Sequence, residues 1–221
     1  MHHYTSEASD LSHLMHAYKA AKSFVIKAGF AAEIAWQDSL LFTDIIEADF
    51  LRENAWVVLC CGMRESIIRN RFQKISECFR MWQSANEIVR NEHDCRKKAL
   101  QCFNHPAKIN AIIETSRRID SQGFGSFKSA LKSDSLGVLR SLPFIGPVTS
   151  YHLAKNIGIP VAKPDRHLVR IANLMGYKDV QVLCDEISRI SGDSVPVVDV
   201  ILWRFAAIQP NYLGILGQKL I

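Results

Sequence analysis

Two short segments of the sequence combine residue types that could bind a charged ligand and act on it. The first is the run 163–167, Lys-Pro-Asp-Arg-His, which precedes a series of apolar residues at helical spacing. Proline interrupts helices and aspartate is a preferred N-cap, so the pattern predicts a helix that begins directly after Asp165. A carboxylate held at a helix start can stabilise positive charge that develops nearby, or orient a water molecule.

The second segment ends in Gly146-Pro147, and Gly146 lies nineteen residues before Asp165. Pro147 suits the first position of a helix, and Val148, Leu153 and the residues that follow are apolar at helical spacing. Gly146 has no side chain to keep a ligand at a distance. Because the first amides of a helix lack internal partners, this turn predicts a phosphate site, and we expect a nucleic-acid backbone as its ligand.

A hairpin that reads LPFIGPVTS (residues 142–150), followed one short helix later by an aspartate, resembles the helix-hairpin-helix DNA glycosylases, the HhH-GPD superfamily. The resemblance extends to residues 55–66, which are similar to the family's helix along the active-site cleft. It also extends to residues 198–204, which are similar to its last core helix. In all it covers about residues 30–210, and its specificity lies in the hairpin and Asp165.

The resemblance implies an all-α fold of two helical lobes, with a helix-hairpin-helix motif and the active-site cleft between the lobes. We expect residues 1–54 and 166–221 to form one lobe. Residues 55–165 would form a helical barrel lobe, with the motif at about 136–157. Residues 195–203 are rich in β-branched side chains, but we predict a helix there because a lone strand would have nothing to pair with. Residues 121–127, with two glycines and two phenylalanines, are predicted to be a loop.

The activity implied is that of a DNA N-glycosylase, a hydrolase in base-excision repair that extrudes a damaged or modified base and cuts its N-glycosidic bond. Asp165 would stabilise the oxocarbenium-like transition state and activate water. Bifunctional members of the family attack the sugar with a lysine two residues after the last hairpin glycine. Val148 occupies that position here, so we expect a monofunctional enzyme without strong AP-lyase activity. Lys155 and Lys163 leave a weak lyase activity open.

DNA contacts are expected from two regions. The first comprises hairpin amides and the basic residues that follow them. In the second, a side chain near the end of the cleft helix would fill the gap left by the extruded nucleotide. These residues are Gly146, Val148, Thr149, Lys155, Lys163 and Arg166, with Met63 and Arg64 for the gap. An ordinary core position for Met63 stays open.

The base pocket is the least specific part of the prediction. An aromatic ring beside an amide can stack on and hydrogen-bond an extruded base, which singles out Trp36 and Gln37. Trp203 and Arg204 are the other two candidates. For Trp36 and Gln37, ordinary packing in the helical core is an equally open interpretation.

Composition favours a polyanionic partner and argues against several cofactors. The net charge is +5, and residues 64–118 carry twelve Lys and Arg against six Asp and Glu, which predicts one positive face. None of the six cysteines forms a C-x-x-C pair, and no cysteine follows Cys184, so we expect no iron–sulfur cluster. His13 and His16 lack a third ligand, and we expect no metal site. A monovalent cation at the hairpin stays open.

The expected partner is DNA, double-stranded with one extruded base, bound by a monomer. No apolar run approaches the ~18 residues of a membrane span and no signal-peptide core opens the chain, so we expect a cytoplasmic, nucleoid-associated protein. The main alternative is a non-catalytic helix-hairpin-helix module that only binds DNA. A helical scaffold with an incidental hairpin is a third interpretation.

Overall fold

The computed structural model describes residues 3–218, with side chains from residue 11 onward. Regular structure in this part of the chain is helical and no residue of it lies in a strand, so the all-α prediction is confirmed. The chain divides into two compact units. The first unit contains the residues up to Leu40 together with those from Gly158 onward, and the second contains Leu41–Ile157.

The first unit is assembled around one buried helix, α13. Helices α1, α2, α11, α12 and α14 all contact α13 directly. Its core includes Tyr18, Leu168, Leu183, Ile201 and Phe205, all at most 2 % exposed. The elements are α1 (His3–Val25), a π-helical turn (Ile26–Phe30), α2 (Ala31–Ser39), α11 (Arg166–Leu174), α12 (Val180–Ser191), α13 (Val195–Ile208) and α14 (Tyr212–Leu216).

The burial of α13 on all sides explains why its β-branched sequence forms a helix and not a strand. Nearly every residue from Val195 to Ala206 is buried, as expected for a helix that is apolar all round and surrounded by other helices. Packing on all sides therefore outweighs the β propensity of its valines. Within residues 3–218, no helix combines the length and apolarity needed to cross a membrane.

The second unit consists of helices α3 to α10. Helix α7 lies at its centre and packs against α3, α5, α6 and α8, while α10 packs against α3 and α9. The elements are α3 (Glu47–Cys60), α4 (Glu65–Cys78), a short 3₁₀ turn (Arg80–Trp82), α5 (Ala85–Arg90), α6 (Glu92–Cys102), α7 (Pro106–Gln122), α8 (Phe124–Ser133), α9 (Ser135–Arg140) and α10 (Pro147–Asn156).

The prediction of a loop at residues 121–127 is wrong. Helix α7 continues to Gln122 and α8 begins at Phe124, so the connection is Gly123 alone, with φ at 78°. One glycine with a positive φ ends α7 and allows α8 to begin without a longer loop. Phe127 is fully buried and packs edge-on against Phe50 at 4.8 Å between ring centroids. The two phenylalanines that suggested an irregular segment are therefore core residues of a helix.

Candidate functional site

Asp165 is the N-cap of α11, as the sequence predicts. Its Oδ1 accepts the backbone N–H groups of His167 at 2.8 Å and Leu168 at 3.1 Å. These two amides belong to the first turn of α11 and would otherwise lack partners. Leu168 is fully buried, so the helix start and its cap are held against the core of the first unit.

The second carboxylate oxygen of Asp165 differs from the first. Among the side chains of residues 11–218 and the backbone described with them, Oδ2 has no hydrogen-bond or ion-pair partner, and the residue is only half-buried. Its neighbour Arg166 is exposed. The cap therefore fixes the orientation of the carboxylate through one oxygen and leaves the other available for a ligand or a water molecule.

The segment before Asp165 is held by side chains from two other helices. Asp199 on α13 accepts the backbone N–H of Lys163 at 2.6 Å, and Gln181 on α12 accepts that of Ala162 at 2.9 Å. The backbone N–H of Asp165 itself donates to the carbonyl of Lys163 at 2.8 Å. Asp165 is thus approached by an ordered backbone, although residues 159–165 contain no regular helix.

His167 is the second residue of α11 and packs against Tyr212 of α14. The two rings meet edge-to-face with 5.6 Å between centroids, and His167 Nδ1 lies 3.3 Å from the hydroxyl oxygen of Tyr212. Partial burial lowers the pKa of His167 below its ordinary value of 6.5, although Asp165 opposes the shift. The imidazole beside Asp165 is therefore mainly neutral at pH 7.

The turn at residues 141–146 connects α9 to α10. Leu142 and Ile145 are buried and anchor it to the second unit, and the backbone N–H of Ile145 donates to the carbonyl of Leu142 at 3.2 Å. Phe144 has φ at 64°, a conformation that favours glycine, and its ring is 40 % exposed. An exposed aromatic side chain at a strained position is a feature that functional sites often retain.

Gly146 is the N-cap of α10, and Pro147 is its first residue, as predicted. The backbone N–H of Gly146 donates to Thr149 Oγ1 at 2.6 Å. The amides of Val148 and Thr149 belong to the first turn, where a helix offers no carbonyl partner. An open pocket of about 560 Å³ lies here, lined by Cys61 and residues 144–149. It combines apolar side chains with the positive end of a helix.

The end of α3 carries the two residues predicted to fill the gap of an extruded nucleotide. Met63 is 37 % exposed and Arg64 is exposed, and both follow the turn at Gly62. A buried lysine fixes this turn: Lys108 Nζ donates to the carbonyls of Leu59 at 2.7 Å and Cys61 at 2.5 Å. Burial lowers the pKa of Lys108 below its ordinary value. Nothing in the sequence pointed to Lys108 as the cap of a distant helix.

Two basic residues near the hairpin, Lys155 and Arg140, differ in their exposure to solvent. Lys155 is only 6 % exposed, so it does not present its side chain to solvent as a surface phosphate contact would. Arg140, which the sequence analysis did not single out, is exposed at the end of α9. Its Nε donates to Ser150 Oγ at 3.3 Å, and its guanidinium lies over the ring of Tyr151 at 5.7 Å. Its position in the last turn of α9 was the signal available.

The four candidates for the base pocket lie on α2 and α13, which pack against each other in the first unit. Trp36 is 36 % exposed, whereas Gln37 is buried. Arg204 donates to both carboxylate oxygens of Glu33, at 2.9 and 2.7 Å, and lies over the rings of Phe30 and Trp203. The guanidinium group is therefore part of a packed cluster, and Trp36 is the more accessible of these aromatic and polar side chains.

Within the described side chains, no group of three or more His, Cys, Asp or Glu has the geometry to hold a metal ion.

Comparison with protein-family models, with curated proteins and with solved structures gives no match to this chain. The functional interpretation therefore depends on the residues themselves.

Proposed function

We propose that the chain is a DNA N-glycosylase that hydrolyses the bond between deoxyribose and a damaged or modified base, with Asp165 as its catalytic residue. The observation that carries the proposal is the asymmetry of the Asp165 carboxylate. Oδ1 caps α11 through two backbone amides, and Oδ2 has no partner among the described side chains, those of residues 11–218. A carboxylate fixed in orientation and half-buried costs little reorganisation when positive charge develops next to it.

The chemistry required of Asp165 is electrostatic. As the N-glycosidic bond breaks, the electron pair leaves with the base and C1′ of the sugar becomes cationic. Oδ2 would stabilise that cation and accept a proton from the attacking water, which adds to C1′. The departing base takes up this proton by way of solvent, which restores the carboxylate, so the products are the free base and an abasic site. Val148, at the position where a lysine would form a covalent intermediate, offers no nucleophile, which favours simple hydrolysis.

DNA would be held by the hairpin turn and the start of α10. The amides of Val148 and Thr149 suit a phosphate, and the apolar wall of the pocket that contains Phe144 suits a deoxyribose. Positive charge comes from Arg140, which directly precedes the hairpin turn in the sequence, and from Lys163 and Arg166, which lie on either side of Asp165. Contacts of this kind fix register on DNA, and selectivity would come from the side chains that meet the extruded base.

The test is a panel of duplexes that carry uracil, an alkylated purine, 8-oxoguanine or a hypermodified base. Base release leaves an abasic site, which alkali converts into a strand break, whereas omission of alkali reports any lyase activity. We expect release from at least one duplex and no break without alkali. Salt-dependent binding to all duplexes without release from any would instead favour a DNA-binding module, because phosphate contacts alone give a slope of ~0.9 per contact in log K against log salt.

A further inference from the structure

Side chains of two other helices accept hydrogen bonds from the backbone segment that leads into Asp165. Residues 159–165 contain no regular helix, and two consecutive amides, those of Ala162 and Lys163, donate to side chains of α12 and α13. The contact to Asp199 is the shorter, at 2.6 Å. Asp199 is 1 % exposed, whereas Gln181 is half-buried.

Lys163 connects Asp199 to Asp165 through its two peptide groups. Its N–H donates to Asp199 Oδ2 at 2.6 Å, and its carbonyl accepts the N–H of Asp165 at 2.8 Å. A rotation of the Lys163 backbone would break one of these bonds and change the direction in which the chain enters α11. The side chain of Asp199 thus restrains the backbone conformation of the residue that is two positions before Asp165.

Asp199 occupies an unusual position for a carboxyl group. It lies in the middle of α13, where Val198, Val200 and Ile201 are also buried, and buried carboxyl groups persist in proteins only where hydrogen bonds compensate their desolvation. A hydrogen bond from a backbone N–H to a carboxylate is among the stronger kinds. An apolar residue at position 199 would pack in α13 but would leave the Lys163 amide without this acceptor.

We infer that Asp199 is a positioning residue for Asp165, a role that rests on the proposed glycosylase function. It acts through the Lys163 backbone and sets the direction of the Asp165 carboxylate relative to C1′ of the sugar. A displacement of about 1 Å at a reacting group costs on the order of 10²-fold in rate. The expected effect of losing Asp199 is therefore on the chemical step and not on DNA affinity.

The experiment measures single-turnover base release at saturating enzyme, on the duplex that the wild-type chain processes. We expect Asp199→Ala to lower the rate on the order of 10²-fold with an unchanged Kd for the duplex. Asp199→Asn should recover most of the rate, because its amide oxygen can still accept the Lys163 N–H. Asp193→Ala is the matched control. Asp193 bonds to Tyr18 and Lys22 in the same unit, so its loss destabilises the fold without acting on Asp165.

A double-mutant cycle separates positioning from general damage to the fold. If Asp199 acts through Asp165, Asp199→Ala should have no further effect in the Asp165→Asn background. Equal losses in both backgrounds, or a full rate for Asp199→Ala, would overturn the inference and leave the proposed function intact. No release by the wild-type chain from any duplex would overturn both together. Should Asp199→Ala not fold, Asp199→Leu takes its place in the cycle, because an apolar side chain suits the buried surroundings in α13 and offers the Lys163 N–H no acceptor.

Discussion

Oδ1 of Asp165 accepts the backbone N–H of His167 at 2.8 Å, and this contact assigns the two oxygens of one carboxylate to different tasks. The capping oxygen is structural, because it satisfies an amide at the start of α11. The other oxygen has no hydrogen-bond or ion-pair partner among the side chains that the structure describes. Substitutions can therefore remove the negative charge and keep the cap, which separates catalysis from folding in experiments on this residue.

Replacement of Gly146 by alanine should affect DNA binding and not the fold. Gly146 has φ at −92°, and an added Cβ would meet only Thr149 Oγ1, at 3.8 Å. We expect the free energy of unfolding to stay constant or rise by up to ~1 kcal/mol, because alanine reduces the entropy of the unfolded chain. If a phosphate approaches this backbone closely, the Kd for duplex DNA should rise on the order of tenfold, or about 1.4 kcal/mol.

The control for Gly146→Ala is Gly125→Ala in α8, where an added Cβ meets nothing within 4 Å. Both variants are measured by chemical denaturation and by fluorescence anisotropy with a labelled duplex. An unchanged Kd for Gly146→Ala would remove the hairpin turn from the DNA-binding surface.

Replacement of Lys108 by methionine should destabilise the second unit. The ammonium group caps the end of α3 by bonding to the carbonyls of Leu59 and Cys61, and methionine fills similar space without a donor. Leaving buried carbonyls without a partner costs about 1–3 kcal/mol in the free energy of unfolding. Lys132→Met, at an exposed position in α8, provides the control and should change stability little. Equal stability of Lys108→Met and Lys132→Met in urea denaturation would show that the cap is dispensable.

Glu53 predicts a pH dependence of stability. The side chain is 7 % exposed, and it accepts hydrogen bonds from Asn156 of α10 and from Arg52. Burial raises its pKa above the ordinary value of 4.5, and these two partners offset the shift only in part. The folded state therefore binds the proton more tightly than the unfolded state does. Stability contributed by this group falls as the pH rises through the window between 4.5 and the raised pKa.

Glu53→Gln removes the buried charge and keeps an oxygen that can accept from Asn156. We expect the variant to be more stable than the wild type at neutral pH, with a difference that shrinks as the pH falls toward 4.5. Thermal unfolding of both proteins is compared between about pH 4.5 and about pH 7.5. Glu114→Gln, on the exposed side of α7, is the control. A stability difference that widens on acidification would contradict the assignment.

Local sequence signals predicted the ends of helices well. Asp165 as an N-cap and Pro147 as a first helical residue both follow from rules that involve only neighbouring residues, and both are present. Helix α13 was predicted against its own composition because a single strand could not pair. Residues 121–127 were predicted to be a loop, but α8 begins there because Phe127 packs in the core.

Contacts between residues distant in sequence could not be predicted. Lys108 caps α3 from a position 49 residues away from Leu59, and Asp199 bonds to Lys163 across 36 residues. Such partners are chosen by the packing of helices, which leaves no mark at either residue. The same limit applies to Arg204, whose pairing with Glu33 joins α13 to α2. Candidate residues for catalysis came from local patterns, and the residues that support them came only from the fold.

The most direct test of the central claim is the single-turnover rate of base release for Asp165→Asn beside the wild-type chain. Asparagine is as good an N-cap as aspartate, so the free energy of unfolding should change by less than about 0.5 kcal/mol. The account predicts that the rate falls on the order of 10²–10³-fold or more while the Kd for the duplex stays the same. An Asp165→Asn protein that releases the base at the wild-type rate would contradict it.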